Sequence, residues 1–216
     1  MVIYGRGDIV NYYISDVHLF HKNITGEGSN FDNRPFKTLD EMHETIKNNW
    51  NNTITNADHV YILGDLTWKE NEDAIKFIST LRGNKHLILG NHCKAKDQRF
   101  RQLFVEICDY KEIKDIVDGK EYHVVMSHYP IAFWNHQHHY RRDGGEHKVW
   151  AIQLYGHVHN SVEEKYFQEF IQKLNNEYNV KCIAKNVGYM LWDYTPVTLK
   201  QILSKDTLNM EVSNEN

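Results

Sequence analysis

Three short runs of β-branched, aromatic and aliphatic residues, Val10–Ser15, His59–Leu63 and His86–Leu89, each stop at a polar cluster, and helical patterns separate them. This alternation constrains the fold more than any other feature of the chain. Runs this short and this apolar read as mostly buried strands. Between the first two, Leu39, Met42, Ile46 and Trp50 recur at helical spacing, and Thr38 with Glu41 makes a capping box at the helix start. Between the next two, Ala74, Ile75, Ile78 and Leu81 form a second helical face, with Gly83 as its stop.

The second half changes character. Asp118-Gly119, flanked by Glu112–Val117 and Glu121–Met126, is the strongest short hairpin signal in the chain. Ala151–Tyr155 reads as a further strand. Ser161 with Glu164 predicts a capped helix whose apolar face is Phe167, Phe170, Ile171 and Leu174, and Lys181–Val187 and Pro196–Leu203 close the fold. Strand–helix alternation followed by hairpin-rich β predicts an α/β layered sandwich with mixed sheets rather than a purely parallel wound sheet. A length of 216 residues suits a single domain, placed at 1–204 with a polar tail at 205–216.

Composition removes several classes. Apolar residues at 41% and charged residues at 25% are an ordinary globular balance. Cys93, Cys108 and Cys182 are odd in number and far apart, which argues against a disulfide framework and for a reducing compartment. Neither a signal-peptide pattern nor a membrane-spanning apolar run is legible, so the expected location is cytoplasmic, with no membrane partner. The N-x-T sequons at Asn23 and Asn51 and the Arg6-Gly7-Asp8 tripeptide then carry no function. A net charge of −4 without a long basic block argues against a broad nucleic-acid footprint. The unusual count is 14 histidines, the residue type that most often binds metals.

Their positions carry the chemistry. Asp16-Val17-His18, Gly64-Asp65, Gly90-Asn91-His92, Ser127-His128 and Gly156-His157-Val158-His159 follow five predicted strands. In α/β sheets, ligands bind beyond the carboxyl ends of strands, so five such clusters converge on one site. D-x-H and H-x-H put two side chains on the same side of an extended backbone. Seven residues, Asp16, His18, Asp65, Asn91, His128, His157 and His159, offer oxygen or nitrogen donors. That number is rich for one metal and right for two that share a carboxylate. An O/N set without thiolate suits Mn, Fe, Zn or Ni.

The ordered set DVH, GD, GNH, SH and GHVH resembles the calcineurin-like metallophosphoesterases. Asn33–Phe36 (NRPF), the helix ending in Asn49-Trp50-Asn51, and Asn186–Val197 (NVGYMLWDYTPV) resemble a small, stand-alone bacterial and phage branch, from about Tyr12 to Ile202. The resemblance implies a four-layer α/β/β/α sandwich. It also implies two divalent ions per chain, manganese foremost. Asp16, His18 and His159 would hold the first, Asn91, His128 and His157 the second, and Asp65 would bridge them. His92 would be no ligand but the general acid, or a stabiliser of phosphoryl charge. The implied reaction is hydrolysis of a phosphomonoester or phosphodiester by a water activated between the ions.

Two positions depart from the family pattern. Cys93 stands where an acid usually orients the histidine of GNH, and Trp68 replaces the second acid of GDxxD. Arg141, Arg142 and His139, in the segment Trp134–Arg142, are candidate phosphate and substrate contacts on the active face. Arg34 either contacts substrate or braces the first metal loop. The expected substrate is a small phosphorylated molecule, a nucleotide or cyclic nucleotide foremost. Nucleic-acid ends, or a non-catalytic metal-binding module, are the alternatives, and the chain is expected as a monomer or homodimer.

Overall fold

The computed structural model describes residues 9–25, 32, 34–143, 146–178 and 181–205. The first half is β1 (Asn11–Ile14), α1 (Leu39–Thr53), β2 (His59–Leu63), α2 (Glu72–Ser79), β3 (Asn84–Ile88), α3 (Gln98–Arg101) and β4 (Glu106–Cys108). The second half is β5 (Tyr110–Val117), β6 (Lys120–Ser127), β7 (Tyr140–Asp143), β8 (Glu146–Val149), β9 (Ala151–Tyr155), α4 (Val162–Tyr178), β10 (Ile183–Asn186) and β11 (Val197–Thr198). A last helix spans 199–205, so it includes the first residue of the expected tail; residues 206–216 lie outside the described set.

One sheet has the order β11-β1-β2-β3-β4, and the other β10-β9-β6-β5. Both are mixed. In the first, β1, β2, β3 and β4 run parallel and β11 pairs antiparallel with β1. In the second, β6, β9 and β10 run parallel and β5 is antiparallel. Asp118 and Gly119 both take positive φ (49° and 76°), as a tight hairpin turn requires.

The period-two alternation of the strands builds the layers. Tyr12, Ile14, Val60 and Ile62 face a core with Met42, Ile46 and Trp50 of α1 and Ala74 and Ile78 of α2. Their neighbours Tyr13, Tyr61 and Leu63 face the other way, against Val124, Met126, Ile152 and Leu154 of the second sheet. The opposite side of that sheet, through Val125, Ala151 and Tyr155, packs on Ile171, Phe167 and Phe170 of α4. Three cores between four layers make an α/β/β/α sandwich. Parallel register also sets β1, β2 and β3 so that Asp16, Asp65 and Asn91 emerge at the same edge of one sheet. His128 and His157 emerge likewise from the parallel pair β6 and β9.

Local chemistry departs from the sequence expectation in three places. Thr38 Oγ1 accepts from Glu41 N at 3.1 Å, but the Glu41 carboxylate accepts from Lys37 N, one residue outside the expected box. At α4, Ser161 Oγ accepts from Glu163 N, while Glu164 turns inward to Tyr155 Oη and Asn186 Nδ2. The second capping box is therefore absent, because a buried phenol and amide compete for its acid. Pro196–Leu203 contains only the two-residue β11 before the chain turns into helix 199–205.

Two modest effects follow. Thr38→Ala removes the cap acceptor of α1 and is expected to cost about 1 kcal/mol, read as a melting point about 2–4 °C lower. His43 and His86 are both buried, and burial is the first cause holding each below the ordinary histidine range, although Glu106 pushes His86 back upward. The unfolded chain therefore binds these protons more readily than the folded one. Their contribution is complete above the unfolded range near about 6.5 and is lost as pH falls toward the lower folded values. Melting of the metal-free protein is expected at a lower temperature at pH 5.5 than at pH 7.5. An unchanged or higher melting point at pH 5.5 would contradict this.

Candidate metal centre

The strand ends are knitted together before any side chain is considered. His18 N donates to Asp65 O at 2.8 Å, Leu19 N to Leu66 O at 2.9 Å, and Gly156 N to His128 O at 2.9 Å. Asp16, His18, Asp65, His157 and His159 all take positive φ, between 47° and 69°. Few non-glycine residues adopt that region, and such strain gathers at functional sites. Gly156 is required by close approach, since a Cβ there would overlap Ser15 Oγ and Asp16 Oδ2. Gly64 combines φ of +89° with a Cβ position that runs into the His128 ring.

The structure brings all seven expected donor residues together. Asp16, His18 and His159 form one group able to hold a metal ion, and Asp16, Asp65 and His128 form another. His18 Nε2 lies 3.2 Å from His159 Nε2, and Asp16 Oδ1 lies 3.7 Å from the latter. Asn91 Oδ1 lies 2.9 Å from His128 Nε2 and 3.1 Å from His157 Nδ1. Between the two sets, Asp65 Oδ2 is 3.9 Å from His18 Nε2 and 3.6 Å from His128 Nε2. Donors bound at about 2.1 Å stand about 3.0 Å apart when cis and about 4.2 Å when trans, so these separations match ligands of a shared ion. The cleft above them has a volume of about 250 Å³, and no lysine or arginine lines it among the described residues.

The tautomers make the same point. His128 Nδ1 is 2.8 Å from Leu63 O, which can only accept, so Nδ1 carries a proton and Nε2 points to the Asp65 carboxylate. His159 Nδ1 is 3.0 Å from Asp32 Oδ2, and its Nε2 faces Asp16. Burial, followed by the neighbouring His159, holds His18 well below the ordinary range, so it is neutral at pH 7. Burial likewise lowers His157 and raises Asp16. Imidazole ring nitrogens thus face carboxylate oxygens at close range, and the residues present fit a metal held between them.

The remaining expected residues separate. His92 is exposed at the cleft wall; its backbone N donates to Asp65 Oδ1 at 3.0 Å and its ring rests on Trp68 at 4.5 Å between centroids. Cys93 is buried, its thiol pushed up to about 12 by burial first, and then by Glu70 and Asp65. Arg34 is a brace and not a substrate contact. Its side chain has 0% exposure, and its donors are taken by Asp32, Val17 O and Asp16 O. His139 does not line the cleft; it packs with His136 and Trp150, because the loop carrying it folds against β6. Arg141 and Arg142 sit in the β7–β8 hairpin, and their side chains lie outside the described residues.

Sequence reasoning missed Asp32 and Glu70. Asp32 orients His159 and neutralises Arg34; its only signal was its place two residues before Arg34. Glu70 accepts from the backbone N of Lys94, Ala95 and Lys96, fixing the loop that follows His92.

No protein-family model matches the chain. An uncharacterized protein of Methanocaldococcus jannaschii is 30% identical over 194 residues, covering 89% of this chain and 88% of its own. The chain belongs to that protein's family. The gene 66 protein of Mycobacterium phage D29 is 26% identical over 171 residues, or 70% of this chain and 79% of the phage protein. The crystal structure of a protein of unknown function from Aquifex aeolicus matches with a TM-score of 0.61 and 27% identity, over 91% of this chain and 99% of that one. An archaeal phosphodiesterase structure matches at a TM-score of 0.35 and 15% identity over 69% of this chain and 73% of its own, a likeness that carries no argument here. No helix among the described residues is long and apolar enough to cross a membrane.

Proposed function

We propose that this chain is a metal-dependent phosphoesterase with two divalent ions, manganese foremost, acting on a small nucleotide-like phosphoester. The observation that supports it most is the pair of oriented imidazoles, His128 and His159, whose Nε2 atoms face Asp65 at 3.6 Å and Asp16 at 3.7 Å. In this reading Asp16, His18 and His159 would hold one ion, Asn91, His128 and His157 would hold the other, and Asp65 would serve both. When bound, the ions supply Lewis acidity at the phosphoryl oxygens and an acidified water.

The chain's own residues do the rest. Leu63 O and Asp32 fix the tautomers of His128 and His159, so no reorganisation is needed when charge develops. His92 stands exposed at the cleft wall, placed to give a proton to the departing oxygen. The acid that usually orients such a histidine is replaced by two devices: the Trp68 ring against its face and the Glu70 carboxylate under its loop. Hydrolysis of bis-p-nitrophenyl phosphate, with Mn, Fe, Zn and Ni added in turn, tests the reading. Turnover with at least one metal, abolished by a chelator, is expected; no turnover with any of them would overturn it.

A further inference from the structure

Two exposed aromatic side chains pack beside residues of the metal cleft, Trp68 on His92 and Tyr129 on His128 and His157. Trp68 is 40% exposed. Its ring meets His92 at 4.5 Å and the edge of His21 at 4.1 Å, and both histidines meet His18, at 5.9 and 5.8 Å. Tyr129 is 49% exposed and meets His157 at 4.4 Å and His128 at 5.1 Å. Trp68 therefore stands at the His18 end of the cleft and Tyr129 at the His128–His157 end. Neither belongs to any of the three cores.

Both are held by pinned backbone. Trp68 N donates to Leu19 O at 2.9 Å, and Tyr129 O accepts from Ser127 Oγ at 2.7 Å. Exposed aromatic rings beside a polar cleft suit flat partners, because each base offers a π-face whatever its sequence. A mononucleotide would use one ring and leave the other idle.

We propose that Trp68 and Tyr129 are paired stacking platforms, and that this cleft takes a phosphodiester bearing a nucleobase on each side of phosphorus, a dinucleotide. The inference rests on the phosphoesterase reading of the cleft and narrows its substrate class.

Equilibrium binding tests it apart from catalysis. The Mn-loaded protein is titrated with a dinucleoside phosphonate in which a methylene replaces the scissile ester oxygen, so that it cannot be hydrolysed. The same phosphonate with both bases replaced by hydrogen is the comparison. Each base is expected to tighten binding about 5- to 150-fold, the range that base–aromatic stacking supplies, and the two-base ligand is expected to quench tryptophan fluorescence. Trp68→Ala should lose the quench and one base's share of affinity, Tyr129→Ala the other share with the quench kept, and Trp68→Phe should retain both shares. Equal affinity for the two ligands, or variants that weaken the abasic ligand as much as the two-base one, would overturn the proposal. Bis-p-nitrophenyl phosphate hydrolysis is scored in parallel. Turnover without base discrimination defeats the stacking inference alone, and base-selective binding without turnover defeats the phosphoesterase reading alone.

Discussion

Asp65→Asn is expected to lower metal-dependent phosphodiester hydrolysis by about a thousandfold or more and to release at least one ion per chain. The Asp65 carboxylate lies within 4 Å of a ring nitrogen from each donor set, His18 at 3.9 Å and His128 at 3.6 Å. Asparagine keeps the shape and can still accept from His92 N, so the strand end stays folded. It removes a negative charge, however, and puts an NH2 where the proposed ligand oxygen stands. Metal-borne charge stabilisation is worth several kcal/mol at the transition state. At about 1.4 kcal/mol per tenfold, a loss of about 4 kcal/mol is about a thousandfold. The checks are kcat/KM and metal content of the purified variant. Activity within tenfold of the parent would contradict a bridging role.

Arg34→Met is expected to destabilise the fold by about 3–5 kcal/mol, because it breaks a buried ion pair by removing one partner. The guanidinium lies 3.0 Å from both Asp32 oxygens and donates to Val17 O at 2.7 Å and Asp16 O at 2.6 Å. Its loss leaves a carboxylate buried without its cation and two carbonyls without donors. In a chain of this size each kcal/mol is about 2–4 °C, so melting should fall by about 10 °C. Asp32 also holds His159, and disturbing such an outer partner typically costs about 10–100-fold in metal affinity. Asp32→Leu combined with Arg34→Met should recover part of the stability, since no buried charge is left unpaired, but none of the metal affinity. Urea melts and a manganese competition titration separate the two effects. A single variant within about 1 kcal/mol of the parent would contradict the account of this buried pair.

Much of this was legible in the sequence, for a physical reason. Polar clusters that end apolar strands are conspicuous, and parallel register carries Asp16, Asp65 and Asn91 to one edge once the strands are recognised. A layered sandwich with mixed sheets followed from the same alternation, and its four layers from the family resemblance. What was hidden depends on contacts distant in sequence. Asp32 meets His159 across 127 positions, and no local pattern announces it. Glu164 reads as a capping acid by spacing alone, but Tyr155 and Asn186 claim it in the fold. β4 and β11, at three and two residues, are too short to show a period. Trp68 reads only as a missing acid; its contacts with His92 and His21 give it a positive role.

The central claim is that two ions share this cleft through Asp65. Counting manganese bound per chain, by elemental analysis of protein dialysed to equilibrium at saturating metal, tests it most directly. The account predicts two ions per chain for the parent protein. One ion, or none, would contradict it.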